Sequence, residues 1–105
     1  MIVEYIRYAL APDACEAFER DYARAAPVLD ASEHCLAYEL SRCLDEPHRY
    51  LLRIEWDSAQ GHLQGFRGSL AFREFLAAIG GYIGAIEEMR HYAPTAVAGA
   101  KAATA

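Results

Sequence analysis

The segment Arg49–Trp56 constrains the fold more than any other. Tyr50, Leu52, Ile54 and Trp56 alternate with Arg49, Leu51, Arg53 and Glu55, and a period of two over eight residues is the mark of a strand with one buried face. A helix start follows at once, with Asp57 or Ser58 as the cap, so the strand hands over to a helix of about ten residues in which Leu63 and Phe66 face inward and Gly68 is the exit. Ser69 opens another helical turn. There Phe72, Phe75, Leu76 and Ile79 fall at i, i+3, i+4 and i+7 and form one apolar face ending at Gly80 and Gly81.

The remaining elements follow from the same two periods. Ile2 to Leu10 reads as a strand that Pro12 stops. A helix is expected from about Pro12 to Ala26, with Cys15, Phe18, Tyr22 and Ala25 on one face, Asp13 and Glu16 at capping-box spacing and Pro27 as terminator. From about His34 to Leu44, Leu36, Tyr38 and Leu40 alternate with Ala37, Glu39 and Ser41, and the turn "LDEPH" joins this strand to Arg49–Trp56 as a hairpin. A last strand is expected over about Ala85 to Tyr92. Residues 1–93 thus form one domain, and residues 94–105, "PTAVAGAKAATA", form a low-complexity tail expected to be disordered.

The order βαββαβ predicts an α+β, ferredoxin-like sandwich in which two helices cover one face of an antiparallel sheet. The other face carries Val3, Tyr5, Cys35 and Leu51, too apolar for free exposure, and pairing with a second copy through this face would cover it. At 105 residues, 54% of them hydrophobic, the chain has more apolar surface than one small core buries.

The formal charge of −5 argues against nucleic-acid and anionic-membrane partners. No apolar run reaches the roughly 18 residues of a membrane span, and the start lacks a signal-peptide layout, so a cytoplasmic location is expected. Cys15, Cys35 and Cys43 lack paired spacing and read as buried thiols. His34, His48 and His91 sit on separate elements with no partner at i+4, and read as solvated residues of loops and strand ends. No metal site is expected from them.

The spacing of Trp56, His62, Ser69, Phe72 and Phe75 within a βαββαβ unit resembles the antibiotic biosynthesis monooxygenase family of dimeric α+β barrels. The resemblance covers residues 1–92 and implies a homodimer with a cavity between sheet and helices in each subunit. Family members include cofactor-independent oxygenases of polycyclic aromatic substrates and haem-degrading enzymes.

Oxygenation without metal or flavin requires a base, a partner for developing negative charge and a dry apolar pocket. His62 is the candidate base, since imidazole titrates near neutrality. Arg53 is the candidate stabiliser of negative charge, provided that it reaches inward. Trp56, Tyr38, Phe66 and Phe72 are the candidate walls for a small aromatic or quinol-like substrate. Each also has a structural role open to it: His62 as a hydrogen-bonded packing residue, Trp56 as core, Arg53 as a surface or interface residue.

The chain contains no asparagine, whereas the resemblance implies an asparagine in the pocket of both characterised groups. The haem-degrading pattern also places a histidine where "FREFLAAI" offers Leu76, and a tryptophan where this chain has Phe66. Haem binding or degradation is therefore disfavoured. A dimer that binds a small apolar ligand or a partner protein without catalysis stands as the alternative to a monooxygenase.

Overall fold

Strand β1 (Ile2–Ala9) lies between β3 (Arg49–Trp56) and β4 (Ile86–Tyr92), with β2 (Cys35–Arg42) outside β3, giving the order β2-β3-β1-β4 with every neighbour antiparallel. Helices α1 (Cys15–Ala31) and α2 (Leu70–Ile79) cover one face. This is the expected ferredoxin-like α+β fold. It is described by a computed structural model over residues 1–101, so the disorder expected of residues 102–105 lies outside the described residues. Residues 93–101 leave β4 without regular secondary structure.

Register builds the core. Ile2, Glu4, Ile6 and Tyr8 stand opposite Trp56, Ile54, Leu52 and Tyr50, and all eight point toward the helices because successive strand residues alternate between faces. Phe18 of α1 sits at the centre, fully buried, with the rings of Tyr8, Tyr50 and Tyr82 each 4.9 Å away by centroid. Edge-on and tilted pairs of this kind add to the energy of burial alone.

Four local expectations are corrected. α1 does not stop at Ala26 but continues through Pro27 to Ala31. The proline gives up one helical hydrogen bond, and the buried Leu29 beyond it anchors the last turn to the core. The helix is entered through a 3-10 turn, Pro12–Ala14, and neither N-terminus has a side-chain cap, so Asp13 and Glu16 form no capping box. β2 is shorter than His34 to Leu44. A register shift between Cys35 and Ala37 sends Leu36 outward and turns Cys35 toward the core.

The fourth correction bears on the site. After β3 the chain forms a π-helical turn, Gly61–Phe66, in which Arg67 N–H donates to the His62 carbonyl five residues back at 3.1 Å. The wider turn places His62 and Phe66 inside, 3% exposed each, and leaves Leu63, expected inside, 52% exposed.

The outer sheet face is less apolar than expected. Cys35 has left it and Val3 is buried, so Tyr5 and Leu51 remain as half-buried apolar groups beside the ion pair of Arg53 and Glu55. The three cysteines are free thiols and only half-buried, not buried. No helix among the described residues is long and apolar enough to cross a membrane.

Candidate functional site

Glu4 is a carboxylate in the middle of β1 on the helix-facing side, 2% exposed. Burying a charge there is costly unless partners surround it, and three do. The Trp56 indole N–H donates to Oε1 at 3.1 Å. Oε2 lies 3.5 Å from His62 Nε2 and 3.3 Å from His91 Nε2. Burial pushes the Glu4 carboxyl up, but the nearby His62 and His91 imidazoles and the hydrogen bond from the Trp56 indole together outweigh it and hold the group below its ordinary value.

Each partner comes from a different element. Trp56 ends β3, His62 lies on the π-helical turn, and His91 faces Glu4 directly in the β1–β4 ladder. The His62 ring stacks at 4.5 Å on Trp56 and lies 5.0 Å from the His91 ring. At 3.5 Å the approach of His62 to Glu4 is loose, and neither nitrogen of its buried ring has a hydrogen-bond partner.

Local contacts seat the turn that carries His62. Ser58 Oγ accepts from Gly61 N–H at 2.8 Å, and the His34 ring, held by Asp57 at 3.0 Å, lies across Gly61 and Gly65. A Cβ on Gly65 would fall 2.3 Å from His34 Cδ2, so only glycine permits this approach.

Two cavities meet at His62. One, of about 270 Å³ between sheet and helices, is lined by Glu4, His62 and the mutually hydrogen-bonded Tyr8 and Tyr22. Phe72, Phe75, Leu76, Ile79, Ile83 and Met89 supply apolar wall, and Arg67 lines it with its guanidinium 5.9 Å from the Phe72 ring centre. The other, of about 300 Å³, is bounded by Ile2, Ala59, His62, Leu63, His91 and Tyr92. Apolar walls with a few convergent polar groups are the usual form of a small-molecule site.

The fold therefore brings His62 and Trp56 together, with Phe66 5.1 Å from Trp56 and Phe72 5.6 Å from Phe66. Of the expected walls only Phe72 lines the cavity, with Trp56 and Phe66 packed in the core beside it, and two further residues lie apart. Arg53 lies between Leu52 and Ile54 in β3 and so points to the opposite sheet face, where it donates to Tyr5 and Glu55 at 3.2 and 2.7 Å. Tyr38, out on β2, donates to Asp30 at 2.7 Å.

Sequence reasoning missed Glu4, His91, Tyr8 and Tyr22. Glu4 was detectable, since it shares its parity with Ile2, Ile6 and Tyr8 and is the charged member of a core-facing set. His91, by its place at a strand end, has the spacing of a solvated residue. Its side chain is 39% exposed, yet its imidazole reaches Glu4. The donor atoms of Glu4, His62 and His91 all lie within 4.8 Å of one another, a grouping that their spacing along the chain gave no reason to expect.

The sequence model of the antibiotic biosynthesis monooxygenase family matches residues 1–78. The chain is 32% identical over 75 residues to the uncharacterised Bacillus subtilis protein YczJ, covering 71% of this chain and 79% of that one. Among solved structures, a Bordetella bronchiseptica protein named for the antibiotic biosynthesis monooxygenases superposes with a TM-score of 0.75 at 26% identity, over 90% of this chain and 96% of that one. A Chloroflexus aurantiacus protein named for the same enzymes has the same fold, with a TM-score of 0.73 at 17% identity over 93% and 96% of the two chains. A βαββαβ sandwich with a cavity under its sheet and a family match over residues 1–78 lead to one conclusion: the chain belongs to the antibiotic biosynthesis monooxygenase family.

Proposed function

We propose that this protein is a cofactor-independent monooxygenase of a small aromatic or quinol-like substrate bound in the cavity between sheet and helices. The observation that carries the reading is His62, a buried imidazole with both nitrogens unpartnered, at the wall of an apolar cavity and beside a carboxylate. In such a pocket His62 takes the acidic proton of an anthrone-like carbon on the ring nitrogen turned away from Glu4, and Glu4, facing Nε2, stabilises the imidazolium that forms. The carbanion reduces dioxygen and combines with it. Loss of water from the resulting peroxide leaves a new carbonyl, so that one oxygen atom enters the substrate, the other leaves as water, and the electrons come from the substrate itself. Arg67, on the cavity wall, is the cation available to the developing oxyanion, and Tyr8 and Tyr22 are further polar residues of the same lining.

The paired chemistry does not need the asparagine that this chain lacks, although that absence favours a second reading in which the same cavity binds a small apolar ligand without turning it over. Pairing of two copies through Tyr5 and Leu51 of the outer sheet face is part of both readings. Oxygen uptake with a panel of anthrones and quinols tests the first. Turnover that falls by about 10²–10⁴-fold in His62→Ala is the expected result, and turnover unchanged in that variant removes His62 from the chemistry. Absence of turnover together with a ligand retained through native purification, seen by mass spectrometry, would leave the binding reading.

A further inference from the structure

The grouping of Glu4, His62 and His91 has the composition and spacing of a metal-ligand set. We propose that these three side chains form a binding site for a divalent d-block cation of the Zn²⁺ and Fe²⁺ class. The inference goes beyond the proposed oxygenase chemistry and does not depend on it.

Distances supply the first argument. A cation held tetrahedrally by nitrogen and oxygen at about 2.0–2.2 Å has its donor atoms about 3.4 Å apart. Glu4 Oε2 stands 3.5 Å from His62 Nε2 and 3.3 Å from His91 Nε2, and the three donors stay within 4.8 Å of one another. Those two separations suit a shared ion better than hydrogen bonds, which are normally shorter.

Burial supplies the second, independent argument. His62 is 3% exposed and neither ring nitrogen is hydrogen-bonded, a state that is costly for a buried polar group left unmet. A cation at Nε2 satisfies one nitrogen, and the same ion compensates the buried charge of Glu4. The other carboxylate oxygen is already fixed by the Trp56 indole at 3.1 Å, the kind of outer contact that orients a metal-ligating carboxylate.

Ligand type narrows the ion. Two imidazoles and one carboxylate suit zinc, iron, cobalt or nickel and are poor ligands for magnesium or calcium, which take oxygen. Three protein donors leave at least one coordination position open, and the cavity beside His62 and His91, together with the exposure of His91, gives that position access to solvent. A cation on Nε2 and a proton taken up by the same ring oppose one another electrostatically, so the metal-bound form and the free general base are alternative states of one site.

The test is calorimetric titration of chelator-treated full-length protein with Zn²⁺, with Mg²⁺ as the comparison and Co²⁺ as a spectroscopic probe. One Zn²⁺ per chain, no Mg²⁺ uptake, and visible Co²⁺ bands of low-coordinate nitrogen and oxygen ligation are expected. His91→Ala, on a half-exposed edge position, should weaken Zn²⁺ by more than about tenfold with an unchanged circular dichroism spectrum, because loss of an outer contact alone costs that much. Glu4→Gln should do the same. Wild-type protein that binds no Zn²⁺, or Zn²⁺ binding that is equal in His91→Ala, would overturn the site. Oxygen uptake by the chelator-treated protein reads the oxygenase proposal separately.

Discussion

Trp56 and Glu4 are joined across the β3–β1 pair by a 3.1 Å hydrogen bond from the indole N–H to Oε1, which leaves Oε2 facing His62 and His91. A residue that packs as core on its ring thereby aims a carboxylate with its nitrogen. Trp56→Phe keeps the apolar ring and removes the donor. It is expected to cost about 1–3 kcal/mol of stability in urea unfolding, the penalty of an unpaired buried acceptor, and to lower oxygen uptake beyond what the loss of folded protein explains.

Gly65 is required by the approach of His34. In Gly65→Ala the new methyl would stand 2.3 Å from His34 Cδ2, so the ring or the π-helical turn must move. The partly exposed His34 ring is the group that gives way, so a destabilisation of no more than about 1 kcal/mol is expected, the low end for overpacking. The double variant Gly65→Ala with His34→Ala should recover part of the loss, because it removes the clashing ring. Thermal unfolding of the four proteins of this cycle checks the coupling.

Tyr50 makes alkaline stability predictable in sign. Burial, with the neighbouring Glu19 carboxylate that accepts its hydroxyl at 2.5 Å, pushes the phenol up to about 12. A group whose folded value is raised contributes stability that is whole below the unfolded phenol value near 10 and is lost as pH rises toward 12. Tyr8 and Tyr22 are raised as well, by burial first. The protein should therefore unfold more easily as pH climbs from about 10, with tyrosinate absorbance appearing in step. Tyr50→Phe should flatten that slope.

Under the proposed pairing of two copies, Tyr5 and Leu51 of the outer sheet face meet the second chain. Light scattering at micromolar concentration is expected to return twice the chain mass. Leu51→Glu, which sets a charge on that face while leaving the core untouched, should shift the mass toward that of one chain.

Much of the architecture was legible because strand and helix periods are local. Tyr50 through Trp56 and Phe72 through Ile79 announced their faces by spacing alone, and both faces are buried or half-buried as read. Errors arose where a single backbone irregularity reset the phase. The π-helical turn exchanged His62 for Leu63, and the bulge at the start of β2 exchanged Cys35 for Leu36. A sequence period assumes unbroken geometry, and neither irregularity has a residue signature of its own.

The candidate site divides along the same line. From residue types and spacing came the four strands and the two helices, and the resemblance carried by Trp56, His62, Ser69, Phe72 and Phe75 pointed to the family. Only the tertiary structure decided that Glu4 and His91 belong with them and that Arg53 does not. Local sequence records the period of each strand, but which strands become neighbours, and in what register, depends on contacts between residues as far apart as Glu4 and His91. Charge and imidazole met there because β4 closes against β1, and that closure is a property of the whole packed chain.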